Sequence, residues 1–457
     1  MLTEIRKNTE KYKREYPKKR RKEKGQFFTS VSTARYMANM VNGRPEVSIL
    51  DAGSGNGILS AALIEHLCDY GCKSISVTLY ENDCNILPLL KKNIGIMREY
   101  CGMRTVKFSS RIVPENFLTS DISDTYDVVI SNPPYKKIPK QSEESAAMTQ
   151  YVHGQPNLYG LFMCKAVDLL KDNGDFIFIT PRSWMSGDYF EIVRRHIIRS
   201  IGIDRLHLFD SRNESFSSEE VLQETVITHG IKGKQIANVI ISVSNTDTFD
   251  NIDSFAVPYK TCIGVSKHQY IFIPTNTAEL ENLVRISGYK HTLSDLGYRF
   301  KTGPVVEFRS EGNLRYESSE GNIPMVRSLH IKDGQFVFPD PQTDKPQWFD
   351  SNKANMKLKN GVMVLLKRIT AKEEAKRLQA CVYTPDQFVK EYITIENHVN
   401  YLVKANGEDM TKDEAILICR MLNSDDLDIY FRSLNGSTQI NATEINSLPI
   451  ELELEAS

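Results

Sequence analysis

No stretch of this 457-residue chain is apolar for long enough to cross a membrane; none reaches the ~18–20 consecutive residues that a bilayer span needs. The start is rich in Lys and Arg but lacks the apolar segment that would make it a secretory leader. With both missing, the expectation is a soluble cytoplasmic protein with no membrane partner. Paired cysteines are missing too. Eight are present (Cys68, Cys72, Cys84, Cys101, Cys164, Cys262, Cys381 and Cys419), and none stands in a C-x-x-C pair. That argues against zinc, or any metal, and for buried free thiols. No internal repeat is found, and no low-complexity segment beyond the first 24 residues. An excess of charge is also absent: 57 Lys and Arg against 58 Asp and Glu leave a net −1. A balanced total still permits a nucleic-acid partner, because the charge that matters is on the binding face.

What is there is an ordinary globular balance, 25% charged and 40% hydrophobic, enough for a sizeable core. The length predicts two to three domains. Residues 1–24 are strongly basic, with the run Lys18-Lys19-Arg20-Arg21-Lys22. They read as a solvated arm, or as an arm that lies along DNA phosphates; the two are compatible.

From about 47 to 231, apolar runs alternate with helical patterns. Strands are predicted at Val47–Asp51, Ser76–Tyr80, Asp127–Ser131, Asp175–Thr180, Leu206–Phe209 and Glu224–Gly230. Helices are predicted at 58–69, 85–100, 158–171 and 187–200. Such alternation implies an α/β fold with a doubly wound, mostly parallel sheet covered on both faces. Ligands of such sheets bind outside the carboxyl ends of the strands. After about 235 the alternation is lost, which predicts a second, α+β domain with a linker near 244–262. The expected division is an arm at 1–24, a catalytic domain at 25–243 and a further domain at 244–457.

Asp51-Ala52-Gly53-Ser54-Gly55-Asn56-Gly57 follows a strand and opens a helix. Glycines there let the backbone turn tightly and approach a ligand closely. A dinucleotide loop would read G-x-G-x-x-G over a pyrophosphate. This loop is one residue short, and Asp51 would repel a pyrophosphate but attract the amino group of a methionine moiety. A carboxylate about 20 residues past such a loop accepts hydrogen bonds from ribose hydroxyls. Glu81 is that candidate, with Asn82 or Asp83 reaching the cofactor's adenine. Upstream, Lys24–Thr29 reads either as a helix cap or as a wall closing the site from the other side.

Asn132-Pro133-Pro134-Tyr135 follows a strand directly. Two prolines remove two backbone donors and fix an extended shape. The loop presents the Asn side-chain carbonyl, the Pro133 carbonyl and an aromatic ring. An adenine N6 amine is a poor nucleophile, because its lone pair is delocalised into the ring. Two acceptors on its two N–H groups favour a tetrahedral nitrogen that can attack a sulfonium methyl in line. That is positional and electrostatic catalysis. Tyr135 would stack on the target base, which must leave the duplex to be reached.

In this order of motifs the sequence resembles the gamma-class DNA adenine-N6 methyltransferases of restriction-modification systems. Gly25-Gln26-Phe27-Phe28-Thr29 resembles their opening motif, followed by the glycine loop, the acidic ribose residue and the Asn-Pro-Pro-Tyr loop. The resemblance implies the S-adenosylmethionine-dependent seven-stranded fold, S-adenosyl-L-methionine as cofactor, and Thr29 as a contact to its methionine part. It implies that Asn132 also touches the cofactor. Asn116-Phe117 stands where the family usually shows Asp-Phe, which binds the cofactor's adenine; Asn for Asp is a departure. The family's second base-stacking aromatic falls on Phe216, with Phe209 as the alternative. The C-terminal half resembles a target recognition domain, where Arg309, Arg368, Asn397, His398 and Gln439 are candidates for reading DNA. The implied setting is a bacterial or archaeal monomer acting on double-stranded DNA, its cognate restriction endonuclease being a genetic partner only.

Glutamine-amide methyltransferases share the Asn-Pro-Pro-Tyr loop but lack so large a C-terminal half. RNA adenine methyltransferases remain open at this stage. Cytosine-N4 enzymes usually carry Ser or Asp at the place of Asn132. A non-catalytic DNA-binding relative would not need the intact loop. Pro339-Asp340 with Glu374-Ala375-Lys376 imitates a nuclease pattern and reads as a chance match.

Overall fold

Val47, Ile49 and Leu50 are all buried, so both faces of their strand are covered, as in the interior of a parallel sheet. The computed structural model describes residues 1–16, 27–209, 224–244, 249, 252–264, 268–350 and 354–451. The chain forms two units, Met1–Thr275 and Asn276–Ser457.

In the first unit, nine strands are β1 (Glu46–Ala52), β2 (Ser74–Tyr80), β3 (Lys107–Val113), β4 (Tyr126–Ser131), β5 (Leu170–Pro181), β6 (Ile201–Phe209), β7 (Thr225–Lys232), β8 (Asn238–Ser244) and β9 (Asp253–Pro258). They form one sheet in the order β3-β2-β1-β4-β5-β7-β6-β8-β9. Strands β1 to β5 run parallel. β7 is antiparallel to both its neighbours. The expected seven-stranded sheet is present from β3 to β6, and β8 and β9 extend it. All six predicted strands are found. β3 and β8 were not predicted: β3 is an edge strand with no fully buried residue, and β8 interleaves exposed positions with its buried ones. β9 lies in the stretch expected to be a linker. Its short sequence buries only Val257 and pairs along one side with β8. The first unit therefore runs past residue 243.

The helices of this unit include α1 (Leu2–Glu15), α2 (Val31–Ala38), α3 (Ile58–Asp69), α4 (Leu87–Met103), α5 (Glu143–Ala147), α6 (Leu158–Asp168) and α7 (Glu191–Ser200). One face of the sheet, with Ile49, Val77, Ile130, Ile177 and Ile179, shares a single apolar cluster with residues of α1 to α4. The expectation of a basic arm at 1–24 is corrected over its first part. Leu2, Ile5, Thr9 and Tyr12 recur at spacings of three and four and form the buried stripe of α1. Residues 17–24 lie outside the described residues. All eight cysteines are free, and seven are buried; Cys84 is exposed.

The second unit carries β10 (Tyr298–Thr302), β11 (Met363–Lys367), β12 (Ala380–Tyr383) and β13 (Val399–Lys404) in an antiparallel sheet ordered β10-β13-β11-β12. A further sheet of five short strands includes Ile323–Val326 and Tyr392–Ile395. Helices α8 (Thr277–Ser287), α9 (Lys412–Leu422) and α10 (Asp425–Leu434) accompany them. Asn282 of α8 donates to the Asp426 carbonyl of α10 at 2.8 Å.

Candidate active site

The strand order reverses at β1, which lies between β2 and β4. That is where a doubly wound sheet opens a crevice at its carboxyl end. The glycine loop follows β1. Gly53, Gly55 and Gly57 all have positive φ, at 72°, 54° and 79°. At Gly57, which leads into α3, a Cβ would also meet Leu90 at 3.0 Å and Met97 at 3.1 Å. Gly57 thus serves the packing of α4 and is not on the crevice wall. The N–H groups of Gly53 and Ser54 donate to the Tyr80 carbonyl at the end of β2, at 3.0 and 2.9 Å.

Next to it, the Glu81 carboxylate is buried and accepts from the Gly55 N–H and the Asp83 N–H, both at 2.8 Å. It fixes the loop. Asp51 lies deeper and is fully buried. Its Oδ2 accepts from the Ser60 hydroxyl at 2.6 Å, while its Oδ1 has no partner. Burial first, and the nearby Glu81 charge second, push its carboxyl up to about 7 against the opposing pull of Ser60.

The crevice encloses about 350 Å³. Its lining includes the acidic Glu81, Asp83, Glu115 and Glu144 and the apolar Phe28, Ile86, Phe117 and Phe162. Of the residues singled out in the sequence, Gly53, Gly55, Glu81, Asn82, Asn116, Phe117 and Asn132 line it. Thr29, Asp51, Pro133 and Tyr135 do not line it. Lys136, Glu144, Leu158 and Phe162 line it without having been anticipated. Helical periodicity marked 158–171, but nothing in the sequence distinguished these positions from ordinary packing.

Asn132 follows β4. Its side-chain NH₂ donates to the Phe27 carbonyl at 3.2 Å and to the Thr29 hydroxyl at 3.1 Å. A carbonyl only accepts, so this contact fixes which end of the amide is nitrogen. Asn132 Oδ1 is left buried with no partner. Among the described residues the Pro133 carbonyl accepts no hydrogen bond either. Tyr135 donates its hydroxyl to the Ile179 carbonyl at 3.1 Å and lies against Phe27, ring centroids 5.5 Å apart and 28° from parallel. The opening segment therefore does two things. Ser30 caps α2 by accepting from the Thr33 N–H, and Phe27 to Thr29 back the Asn-Pro-Pro-Tyr loop.

Asn116 is committed at both ends. Its Oδ1 accepts from the Leu118 N–H at 3.1 Å and its Nδ2 donates to Glu144 at 3.0 Å. Phe117 is 2% exposed and touches Tyr80 edge-on. Phe209, the alternative stacking residue, belongs to the core cluster of the sheet and is 1% exposed. Its outward face is covered by Phe249 and His207, so it is a packing residue. Phe216 lies outside the described residues.

In the second unit, three of the five candidate reading residues come together by direct contact. Lys367 pairs with Val399 at one end of the antiparallel sheet. Just beyond it the Arg368 N–H donates to the His398 carbonyl and the Arg368 guanidinium to the Asn397 carbonyl, each at 2.9 Å. Ile369 bridges to Gln439. The Asn397 N–H donates to the Val305 carbonyl at 2.8 Å, which brings the segment carrying Arg309 to the same end. Phe308 and Ile369 stand exposed there, and the Arg309 guanidinium lies over the Phe308 ring. Buried Arg327 pairs with Glu307 at 2.6 Å and Glu396 at 3.4 Å and holds these loops from beneath. The nuclease-like residues have separate local partners: Asp340 pairs with Lys332, Glu374 accepts from Ala371 and Gln379, and Lys376 pairs with Asp425.

A glycine loop after β1, a carboxylate after β2 and an Asn-Pro-Pro-Tyr loop after β4 on this sheet define a methyltransferase. A family model described as the Eco57I restriction-modification methylase matches residues 85–216. The chain is 34% identical over 450 residues to the type II methyltransferase M.PstI of Providencia stuartii, covering 94% of this chain and 88% of that one. It is 32% identical over 448 residues to M.BsuBI of Bacillus subtilis, with the same coverage of 94% and 88%. Among solved structures, the type IIL restriction-modification enzyme MmeI in complex with DNA superposes with a TM-score of 0.55 at 12% identity, covering 98% of this chain and 65% of that one; that likeness concerns the fold. The chain belongs to the type II DNA methyltransferases of restriction-modification systems.

Proposed function

We propose that the protein transfers a methyl group from S-adenosylmethionine to N6 of an adenine rotated out of double-stranded DNA, at a site read by the second unit, and so protects host DNA from a cognate endonuclease. The observation that carries this reading is Asn132. Its NH₂ is held by Phe27 and Thr29, and its Oδ1 is buried without a partner. A buried polar atom left unpaired costs ~1–3 kcal/mol and calls for an explanation, and beside the crevice a ligand's N–H supplies one.

The crevice fits the cofactor on chemical grounds. Acidic lining residues suit a cation, the apolar rings suit a nucleobase, and Glu81 follows β2, where an acceptor for ribose hydroxyls belongs. When bound, S-adenosylmethionine supplies an electrophilic methyl on a sulfonium. The protein's own work is at the other partner. Asn132 Oδ1 and the Pro133 carbonyl accept the two N6–H groups and hold the amine lone pair toward the methyl. Tyr135 stacks on the base, and the fixed Asn132 amide needs no reorganisation in the transition state. Arg309, Arg368, Asn397, His398 and Gln439 contact bases or phosphates; Arg, Asn and Gln suit base edges in the major groove.

Expression in a host free of DNA methylation, followed by long-read mapping of modified bases, tests the whole reading. N6-methyladenine at one position of one short sequence is expected, and its loss with Asn132→Ala. N4-methylcytosine, or modified RNA with unmodified DNA, would defeat the proposal.

A further inference from the structure

The strand order gives the crevice a direction. Asn132 follows β4, the glycine loop β1, Glu81 β2, and Asn116 with Phe117 follow β3, and these four strands are neighbours in that order. A ligand with its reacting end at Asn132 and its ribose at Glu81 therefore carries its base to Phe117 and Asn116. A base with an exocyclic amine needs an acceptor there. The Asn116 Oδ1 already accepts from the Leu118 N–H at 3.1 Å, which leaves it one lone pair. Its Nδ2 instead steers Glu144 Oε1, at 3.0 Å, onto the crevice wall. Glu144 Oε2 makes no hydrogen bond among the described residues. An aspartate at 116 could not hold Glu144 in this way, because two carboxylates would repel each other at that distance.

Resting on the cofactor reading above, we propose that Glu144 accepts the 6-amino group of the cofactor's adenine, with Asn116 as the residue that positions it. The negative charge that recognises the amine sits on α5 and not at the residue before Phe117. An ionised acceptor makes a stronger hydrogen bond than an amide oxygen, so the substitution at 116 costs no recognition.

The test is equilibrium binding by calorimetry, on the full chain, of S-adenosylhomocysteine and of its analogue whose base is unsubstituted purine. The wild type should prefer the amino ligand by ~10-fold or more, the scale of one hydrogen bond to a charged group. Glu144→Ala should bring that ratio near one, by weakening the amino ligand far more than the purine ligand. The exchange Asn116→Asp with Glu144→Gln should restore part of the ratio, because the pair then bonds with its roles reversed and the amide oxygen at 144 is a neutral acceptor. An unchanged ratio in Glu144→Ala overturns the inference. So does equal weakening of both ligands, which would make Glu144 a latch for α5. Binding of neither ligand by the wild type overturns the cofactor reading, and this inference with it.

Discussion

Thr29 and Asn132 stand 103 positions apart in the chain, and the hydroxyl of one accepts from the side-chain amide of the other at 3.1 Å. With the Phe27 carbonyl, Thr29 decides which way the amide points. Asn132→Ala should lower kcat for methyl transfer ~10²–10³-fold, the scale of removing one fixed polar group from a transition state, with cofactor affinity nearly intact. Thr29→Val leaves the Phe27 contact in place and should cost ~10-fold in kcat, about one hydrogen bond. Stopped-flow methyl transfer with saturating DNA reads both. Near-normal turnover by Asn132→Ala would remove the basis of the proposed chemistry.

The Tyr135 hydroxyl donates to the Ile179 carbonyl, and in the proposed reaction its ring stacks on the target base. Tyr135→Ala should weaken capture of the flipped base by ~1–3 kcal/mol, by analogy with base–aromatic stacking on single strands. Tyr135→Phe should keep that capture and lose only ~1 kcal/mol of stability, for one hydrogen bond. Fluorescence of 2-aminopurine at the target position separates the two. An equal signal from wild type and the Ala variant would rule out the stacking role.

Asp51 sets a pH dependence. Its folded value, about 7, lies above its unfolded value of ~3.9. Between these the folded state holds more protons, so stability falls as pH rises, by up to ~1.4 kcal/mol per pH unit for one group. The penalty is absent below the lower value and complete above the upper one. Asp51→Asn should flatten this slope in urea melts without ligand across pH 4–7. A cation bound near Oδ1 would favour the ionised form, so cofactor binding should release protons near pH 6.5, detectable by calorimetry in buffers of different ionisation enthalpy. Parallel melts for variant and wild type would refute this assignment.

Arg327 is 1% exposed and bonds to Glu307, Glu396 and the Pro346 carbonyl. Removing it leaves Glu396 buried without its counter-ion. Arg327→Ala should cost ~3–5 kcal/mol, as broken buried pairs do, and should loosen the loops that carry Arg309 and Asn397. A calorimetric scan with little change would show that the pair bears no such weight.

Much of the first unit was legible because its signals are local. Burial on both faces makes β1, β4 and β5 continuous apolar runs, and the glycine and Pro-Pro turns follow such runs directly. The misses share a cause as well. β3 and β9 are edge strands whose exposed faces resemble loop sequence. In α1, four buried positions are hidden among Lys, Arg and Glu, so charge outweighed period. In the site, sequence order located Glu81, Asn116 and Asn132 but not their commitments. That Glu81 pins the glycine loop, or that Asn116 is spent on Leu118 and Glu144, depends on contacts between segments far apart in the chain.

The helix α1 has a bearing on how the protein tolerates handling. Thr9 accepts from Asn56 of the glycine loop at 2.6 Å, and Asn8 donates to Asn93, which in turn donates to the Asn56 carbonyl. The first turns of the chain thus brace the loop that a cofactor would meet. Removing residues 2–15 as an apparently dispensable basic leader would slacken that loop from behind, and the damage would register as poor cofactor affinity in a protein that still folds.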